Sequence, residues 1–253
     1  MTKLIESALA HAWPVQWYDE LDSTNAEAKR RASTGEFGPC WIAARKQING
    51  KGRLGRPWQA PEGNLSATAL FPFDGSFDQI SKLSFLAGLA IYDAALLEGV
   101  PASKLQLKWP NDVRCERHKF SGVLIETGQV SKDLSWVALG VGVNILRAPE
   151  IDQPTVCLKD LSANAIVNAD NFLDSLKVTF GNRLHSLIKF GFEPIRQDWL
   201  ANAEGYNHSI SVKDSQSTMT GIMRGINETG ALMLEMGDGT IKLVTTGDVN
   251  LVG

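Results

Sequence analysis

Residues 50–58 read GKGRLGRPW, and the prolines in and just beyond this stretch constrain the fold more than any other part of the chain. The spacing Gly50-x-Gly52-x-x-Gly55 matches the dinucleotide-binding fingerprint, and a strand-like run, CWIAARK, precedes it. A doubly wound nucleotide fold then requires a crossover helix that opens at the third glycine and holds a pyrophosphate at its N-terminus. Pro57, Pro61 and Gly63 fall within the next stretch, RPWQAPEGN. Proline lacks the N–H and clashes with the preceding turn, so no crossover helix forms here. Lys51 and Arg53 also fill positions that a Rossmann turn leaves to backbone N–H groups. No Lys-Ser/Thr pair stands at P-loop distance either. The stretch suits an anion clamp better. Its glycines let the backbone approach a ligand, and its arginines carry planar forks that match carboxylate and phosphate oxygens. Arg45, Lys46, Lys51, Arg53 and Arg56 with no acid between them also raise a nucleic-acid patch, and a solvated loop without a role is the plain alternative. Aromatic interleaving is thin and the net charge is −3, so any polyanion footprint must be local.

The length of 253 residues, 43% hydrophobic and 21% charged, suits one large domain or a medium and a small one. Cys40, Cys115 and Cys157 never form a CxxC, and His11, His118, His185 and His208 show no ligand spacing, which argues against a disulfide framework or a zinc site. The N-terminus carries Lys3, Glu6 and His11 without a long apolar core, so no leader is expected. No run reaches the ~18 apolar residues of a membrane span. The expected setting is soluble, reducing and cytoplasmic.

Periodicity predicts strands at VQWY (15–18), CWIAARK (40–46), NLSATALF (64–71, closed by Pro72) and KLQLKWPND (ending at Pro110). KFSGVLIET and LSWVALGVGVNI read as a hairpin across GQVSKD. Helices are expected from DSTNAEAKRRAS, with Thr24 and Glu27 at capping-box spacing, and over 79–98, about 170–189 and 193–202. From Ser209 short strands alternate with turns at KDSQS, NETG, GDG and TGD, the rhythm of a small β-barrel or sandwich. The expected fold class is α+β: a mixed sheet backed by helices over 1–205, then a small all-β domain over 206–253.

Further motifs carry possible chemistry. KWPND puts Lys108 at a strand end before a Pro-fixed turn with Asn111 and Asp112, suited to orienting Mg²⁺ or simply to closing an Asx turn. KFSGVLIE sets Lys119 at the mouth of an apolar strand, with Gly122 permitting close approach; a snorkelling surface lysine is the alternative. GVGVN ends a buried strand in glycines and Asn144, where either a packed neighbour or a bulge accounts for the glycines.

STN (23–25), Q-x-x-GKGRLGRPW (47–58), KWPND, KFSGVLIE, GVGVN and the tail GIMRGINETGALML, in this order, resemble the biotin protein ligases. The resemblance implies a catalytic domain of the class II aminoacyl-tRNA synthetase-like type, as in biotin and lipoate ligases, with an SH3-like C-terminal barrel. It implies that biotin and ATP form biotinyl-5′-AMP, and that the biotinyl group passes to a lysine of a biotin carboxyl carrier protein. That carrier belongs to acetyl-CoA carboxylase or another biotin-dependent carboxylase. On the matching positions, Ser23, Thr24, Asn25 and Gln47 hold the biotin head group, with Gly122 beside them. Lys51 and Arg53 contact the carboxylate or α-phosphate. Lys119, with Arg53, is the catalytic candidate. Arg56, Trp58, Lys108, Asn111 and Asn144 serve the nucleotide, and Asn111 and Asp112 are candidates for Mg²⁺. Neither nucleic acid nor membrane is an expected partner, and both monomer and homodimer stay open. A lipoate or octanoate ligase of the same fold, and a non-catalytic biotin-binding module, are the rivals.

Position 51 departs from the family's usual Gly-Arg-Gly-Arg. Lysine keeps the charge and loses the bidentate fork, so weaker retention of the adenylate is expected. Some relatives carry an N-terminal winged helix-turn-helix; only about fourteen residues precede the first predicted strand here, so a ligase without repressor function is expected.

Overall fold

The structure is a computed structural model that describes residues 10–164, 166–214 and 217–252. The expectation for the extreme N-terminus and part of the KDSQS turn lie outside those residues. Strand β1 (Val15–Leu21), helix α1 (Thr24–Ser33) and strand β2 (Cys40–Gln47) form a parallel βαβ unit. Strand β3 (Leu65–Phe73) then runs antiparallel to β2, with only a one-turn 3₁₀ helix, Arg53–Gly55, between them. A Rossmann unit would have returned parallel after a full helix, so the prolines do exclude it. Helix α2 (Phe77–Leu97), strands β4 (Leu105–Lys108), β5 (Asp112–Cys115), β6 (His118–Ser131) and β7 (Leu134–Val143) complete a seven-stranded mixed sheet in the order β1-β2-β3-β7-β6-β5-β4. Helices α3 (Leu158–Leu161), α4 (Ala169–Phe190) and α5 (Phe192–Ala201) come next in the chain. Strands β8 (Ser209–Lys213), β9 (Thr218–Ile226), β10 (Leu232–Glu235), β11 (Ile241–Val244) and β12 (Asp248–Leu251) form an antiparallel sheet in the order β11-β10-β9-β8-β12.

The two-residue period of the central strands divides the sheet into a core face and a site face. In β3, Leu65, Ala67, Ala69, Phe71 and Phe73 join the main core with α2 and α4, where Phe71 packs 6.1 Å from Phe180. The intervening Ser66 and Thr68 are buried on the opposite face, where α1 lies and where Leu70 packs with Ala28, Ile42 and Ala138. In β7, Val137, Leu139, Val141 and Val143 face the core, and Gly140 and Gly142 alternate with them. Glycines therefore fall on the face that another group must approach.

Several local expectations need correction. Helix α1 takes Ser23, not Thr24, as its N-cap, and Ser23 makes no side-chain cap bond. Glu27 is engaged instead by Arg30 and Arg31. Strand β3 runs through Pro72, because pairing with β2 has already ended at Cys40–Leu70; the missing N–H falls where no ladder partner waits. Strand β5 was hidden in NDVRC, too short and too charged to stand out. Helix α2 is long and apolar enough to cross a membrane by length and composition alone. Most of it is buried against the sheet and the helical layer, as a core helix would be.

The two sheets are joined through the KWPND turn and its neighbours. The Trp109 indole donates to the Gly230 carbonyl at 3.1 Å in the turn before β10. Leu107 on edge strand β4 bridges Ala203, and the Arg114 guanidinium pairs with buried Glu204 at 3.0 Å.

Candidate active site

A cavity of about 680 Å³ opens on the site face, bounded by the basic loop, the KWPND turn, the 149–155 segment and β12. All fourteen residues singled out from the sequence line it: Ser23, Thr24, Asn25, Gln47, Lys51, Arg53, Arg56, Trp58, Lys108, Asn111, Asp112, Lys119, Gly122 and Asn144.

The loop is a small hairpin. Gly52 N–H donates to Arg56 O at 2.7 Å, Trp58 N–H donates to Gly50 O at 2.9 Å, and Lys51 bridges Pro57. Leu54 and Gly55 make its tip at φ 56 and 73. For leucine that left-handed conformation is strained, and its side chain is exposed. The basic run is dispersed by ion pairing. Arg45 stacks 3.8 Å from the Trp17 ring centre and pairs with Asp170, Lys46 pairs with Glu20, and Arg56 pairs with Asp248 of the second sheet. Three of the five cations in the run are thus engaged by carboxylates.

Arg53 turns inward and donates to Asn111 Oδ1 at 3.2 Å; burial pushes its guanidinium below the ordinary arginine range. Asn111 Nδ2 donates in turn to Val123 O at 2.6 Å, so one side chain ties the loop to β6. Lys108, near Asn250 at 3.5 Å, is also pushed below the ordinary lysine range by burial. Lys119 is fixed at both ends. Its N–H donates to Pro154 O, its carbonyl accepts from Val156 N–H, and its ammonium lies 2.8 Å from Asp112 Oδ1 and 5.6 Å from the Trp58 ring centre. Asn144 Nδ2 donates to the carbonyls of Lys119 and Val156, while its Oδ1 is buried without a protein partner.

Part of the cavity lining is polar and buried. Ser23, Thr24 and Asn25 are each 5% exposed or less. Because Ser23 makes no side-chain cap bond, its hydroxyl is not committed to the helix start. Thr24 N–H donates to Gln47 Oε1 at 2.8 Å. Gly140 and Gly142 leave room for neighbours: a Cβ on the first would fall 2.3 Å from Asn25 Oδ1, and one on the second 2.3 Å from the Trp58 ring. Cationic groups and a neutral donor–acceptor set lining one cavity fit a ligand with an uncharged polar head and an anionic tail.

The Biotin/lipoate A/B protein ligase family model matches residues 19–144, and the Biotin protein ligase C terminal domain model matches residues 207–252. A biotin–[acetyl-CoA-carboxylase] ligase of Paracoccus denitrificans is 38% identical over 219 residues, covering 84% of this chain and 90% of that protein. The chain belongs to the biotin/lipoate protein ligase family. The biotin–[acetyl-CoA-carboxylase] ligase of Mycobacterium tuberculosis is 31% identical over 236 residues, covering 91% of this chain and 86% of that one. The structure of a biotin protein ligase from Aquifex aeolicus in complex with biotin and ATP superposes with a TM-score of 0.77 at 25% identity, covering 94% of this chain and 98% of that one.

For this biotin/lipoate ligase family member, four side chains around the cavity escaped sequence reasoning. Thr68 contacts both Thr24 and Asn25, and Glu126 contacts Asn25. Asp248 and Asn250 meet Arg56 and Lys108 from the second sheet. Ser66 and Thr68, two polar residues one period apart in an otherwise apolar strand, were the available signal for the first of these. Nothing local marks Asp248.

Proposed function

We propose that this chain is an ATP-dependent ligase that attaches biotin, through biotinyl-5′-AMP, to a lysine of a biotin carboxyl carrier protein. The carrying observation is that Lys119 and Arg53 line the same cavity as Gln47 and the buried Ser23, Thr24 and Asn25. The names of the Paracoccus and Mycobacterium relatives support biotin, with acetyl-CoA carboxylase as the source of the carrier domain. The match to a biotin protein ligase C-terminal model supports biotin over lipoate.

In the first step a carboxylate oxygen of biotin attacks the α-phosphorus of ATP. The bond from that phosphorus to the bridging oxygen breaks, and pyrophosphate leaves with its electron pair. An anion must approach an anion, so fixed cations have to offset the repulsion as charge builds on the phosphorus oxygens. The Lys119 ammonium suits that junction. Its backbone is held on both sides and Asp112 fixes its side chain, so little reorganisation is left for the reaction. Arg53, anchored through Asn111, supplies a second donor on the loop side. The loop and the Trp58 ring cover the acyl phosphate and keep water from it. In the second step a carrier lysine, as the free amine, attacks the acyl carbon. The C–O bond to AMP breaks, and the nitrogen loses a proton as the amide forms.

Whether Mg²⁺ suits the pocket is decided by its oxygen donors. Among the described residues no three His, Cys, Asp or Glu side chains gather as a cage. Magnesium is commonly held by one or two carboxylates plus substrate phosphates. Asp112 fits that pattern for an ion arriving with the nucleotide, where it would neutralise phosphate charge. Asn111 has both polar ends engaged by Arg53 and Val123, which suits it to hold the turn. We further assign residues 1–205 to the catalytic domain and 206–253 to the second domain.

The test is biotin-dependent ATP–pyrophosphate exchange, with lipoate and octanoate as controls, and then biotin transfer to a carrier domain. Exchange with biotin alone is expected. Lipoate-dependent exchange without the biotin-dependent reaction overturns the reading, and biotin binding without exchange leaves a binding module in its place.

A further inference from the structure

Beneath the buried polar part of the cavity lining runs a hydrogen-bond chain with one permitted direction. It begins at Glu126 on β6. The Asn25 amide nitrogen lies 3.0 Å from Glu126 Oε2 and 3.4 Å from the Leu124 carbonyl, and both of those groups are acceptors. The Asn25 oxygen cannot occupy that side without facing a carboxylate and a carbonyl, so the NH₂ does. Asn25 Oδ1 is thereby turned toward Thr68, 2.7 Å away. An amide oxygen has no proton to give, so the Thr68 hydroxyl donates to it. Thr68 has then spent its only proton, yet its oxygen lies 2.8 Å from the Thr24 hydroxyl. That contact requires the proton of Thr24. Gln47 Oε1, the other acceptor near the Thr24 hydroxyl at 3.2 Å, already receives the shorter bond from Thr24 N–H.

We infer that Glu126, acting through Asn25 and Thr68, sets the polarity of this floor and so presents the Thr24 hydroxyl to the ligand as an acceptor. This rests on the biotin reading above and deepens it. A cyclic urea has two N–H donors and one carbonyl acceptor, so an acceptor whose proton is already turned away suits one of its N–H groups. Glu126 and Thr68 are positioning residues. Thr68 is fully buried, so its hydroxyl is available only to this chain. An uncharged amide at position 126 can donate as well as accept. It removes the shorter of the two contacts that orient Asn25 and leaves only the 3.4 Å contact with the Leu124 carbonyl, so the chain can run in reverse and the Thr24 proton can point at the ligand, where it opposes a urea N–H.

The variants that test this change polarity while keeping shape: Glu126→Gln, Thr68→Val, and Thr68→Ser as the conservative control. Biotin affinity is measured by calorimetry on the full chain, and KM for biotin, KM for ATP and kcat are taken from pyrophosphate exchange. Glu126→Gln and Thr68→Val are expected to weaken biotin binding about tenfold, as for a misdirected buried hydrogen bond, with KM for ATP unchanged. Thr68→Ser keeps the hydroxyl and is expected to bind as the wild type does. Wild-type biotin affinity in both Glu126→Gln and Thr68→Val overturns the inference. So does a rise in KM for ATP in step with that for biotin, which marks a merely structural role. Should Thr68→Val fail to fold, Glu126→Gln decides alone, because position 126 is only half-buried. Failure of the wild type itself to bind biotin would refute the functional reading instead, so the two failures are distinguishable.

Discussion

Replacing Gly142 with alanine tests how closely the site depends on contact between β7 and the basic loop. A Cβ at that position would lie 2.3 Å from Trp58 Cε2 and 2.4 Å from Cζ2. Carbon atoms rest about 3.5–4.0 Å apart, so one side must withdraw by roughly 1.2 Å or more. The strand cannot, since Gly142 is paired with Ser66 on β3 and with Gly122 on β6. The Trp58 ring must therefore leave, and with it the loop closure that runs through Trp58 N–H to Gly50 O. Displacing a positioning element by about 1 Å costs on the order of 10²-fold in rate, or about 2.7 kcal/mol of transition-state stabilisation. The expected outcome for Gly142→Ala is a fall of that size in kcat/KM for ATP in pyrophosphate exchange. Tryptophan fluorescence is expected to lose any change on adenylate formation, with the melting temperature little altered. Gly140→Ala is the internal contrast: its Cβ would meet Asn25 Oδ1 at 2.3 Å, so the damage is expected in KM for biotin. Wild-type exchange and fluorescence in Gly142→Ala, or identical profiles for the two variants, would refute the reasoning.

Lys119→Ala is expected to abolish exchange while the far-ultraviolet circular dichroism stays native; residual exchange above a few per cent removes Lys119 from the adenylation step. Lys51→Arg restores a bidentate fork on the exposed arm of the hairpin and is expected to slow escape of biotinyl-AMP, measured by release of labelled adenylate after gel filtration. Equal leakage from both forms counts against it. Asp248→Asn removes the partner of Arg56, a pair exposed enough to contribute ~1 kcal/mol at most to stability. Its effect is expected in adenylate retention with an almost unchanged melt, and a large loss of stability would contradict that. Arg30 hydrogen-bonds Asp22 and holds its carboxyl down to about 2 from 3.8. A depressed carboxylate contributes stability above its unfolded pKa and loses it as pH falls through the folded value, so this contribution is expected intact above about pH 4 and lost toward pH 2. Carbon-detected NMR of Asp22 checks it, and Arg30→Gln should return the carboxyl toward 3.8.

Much of the site was legible because it is built from short runs whose composition conflicts with their place in a strand or helix. GVGVN shows this: valines on one period and glycines on the other mean a strand with one face against a core and the other against an intruding group. STN was legible only in part. Its residues read as a helix start, yet the capping role passed to Ser23 without a side-chain bond and Thr24 turned to Gln47 and Thr68. Local propensity names the helix there, and tertiary partners decide what the hydroxyls do. Asp248 and Asn250 were illegible for a different reason. Each lies in an ordinary strand of a separate sheet, and their meeting with Arg56 and Lys108 comes from how the two sheets dock. The continuation of β3 through Pro72 was likewise hidden, since it depends on where the neighbouring strand stops.

The bond between the loop and β12 spans 192 positions of chain. At a synthesis rate of about 5–20 residues per second, Arg56 leaves the ribosome roughly 10 to 40 seconds before its carboxylate partner. The first sheet gains its last strand when β7 ends at Val143, and from then until β12 emerges Arg56 and Lys108 are without Asp248 and Asn250. A growing chain thus carries an unfinished reaction chamber, completed only when β12 closes against β8. If the Arg56–Asp248 pair holds the loop closed, as the Asp248→Asn variant tests, then β12 is the part whose arrival lets the cavity retain an acyl phosphate.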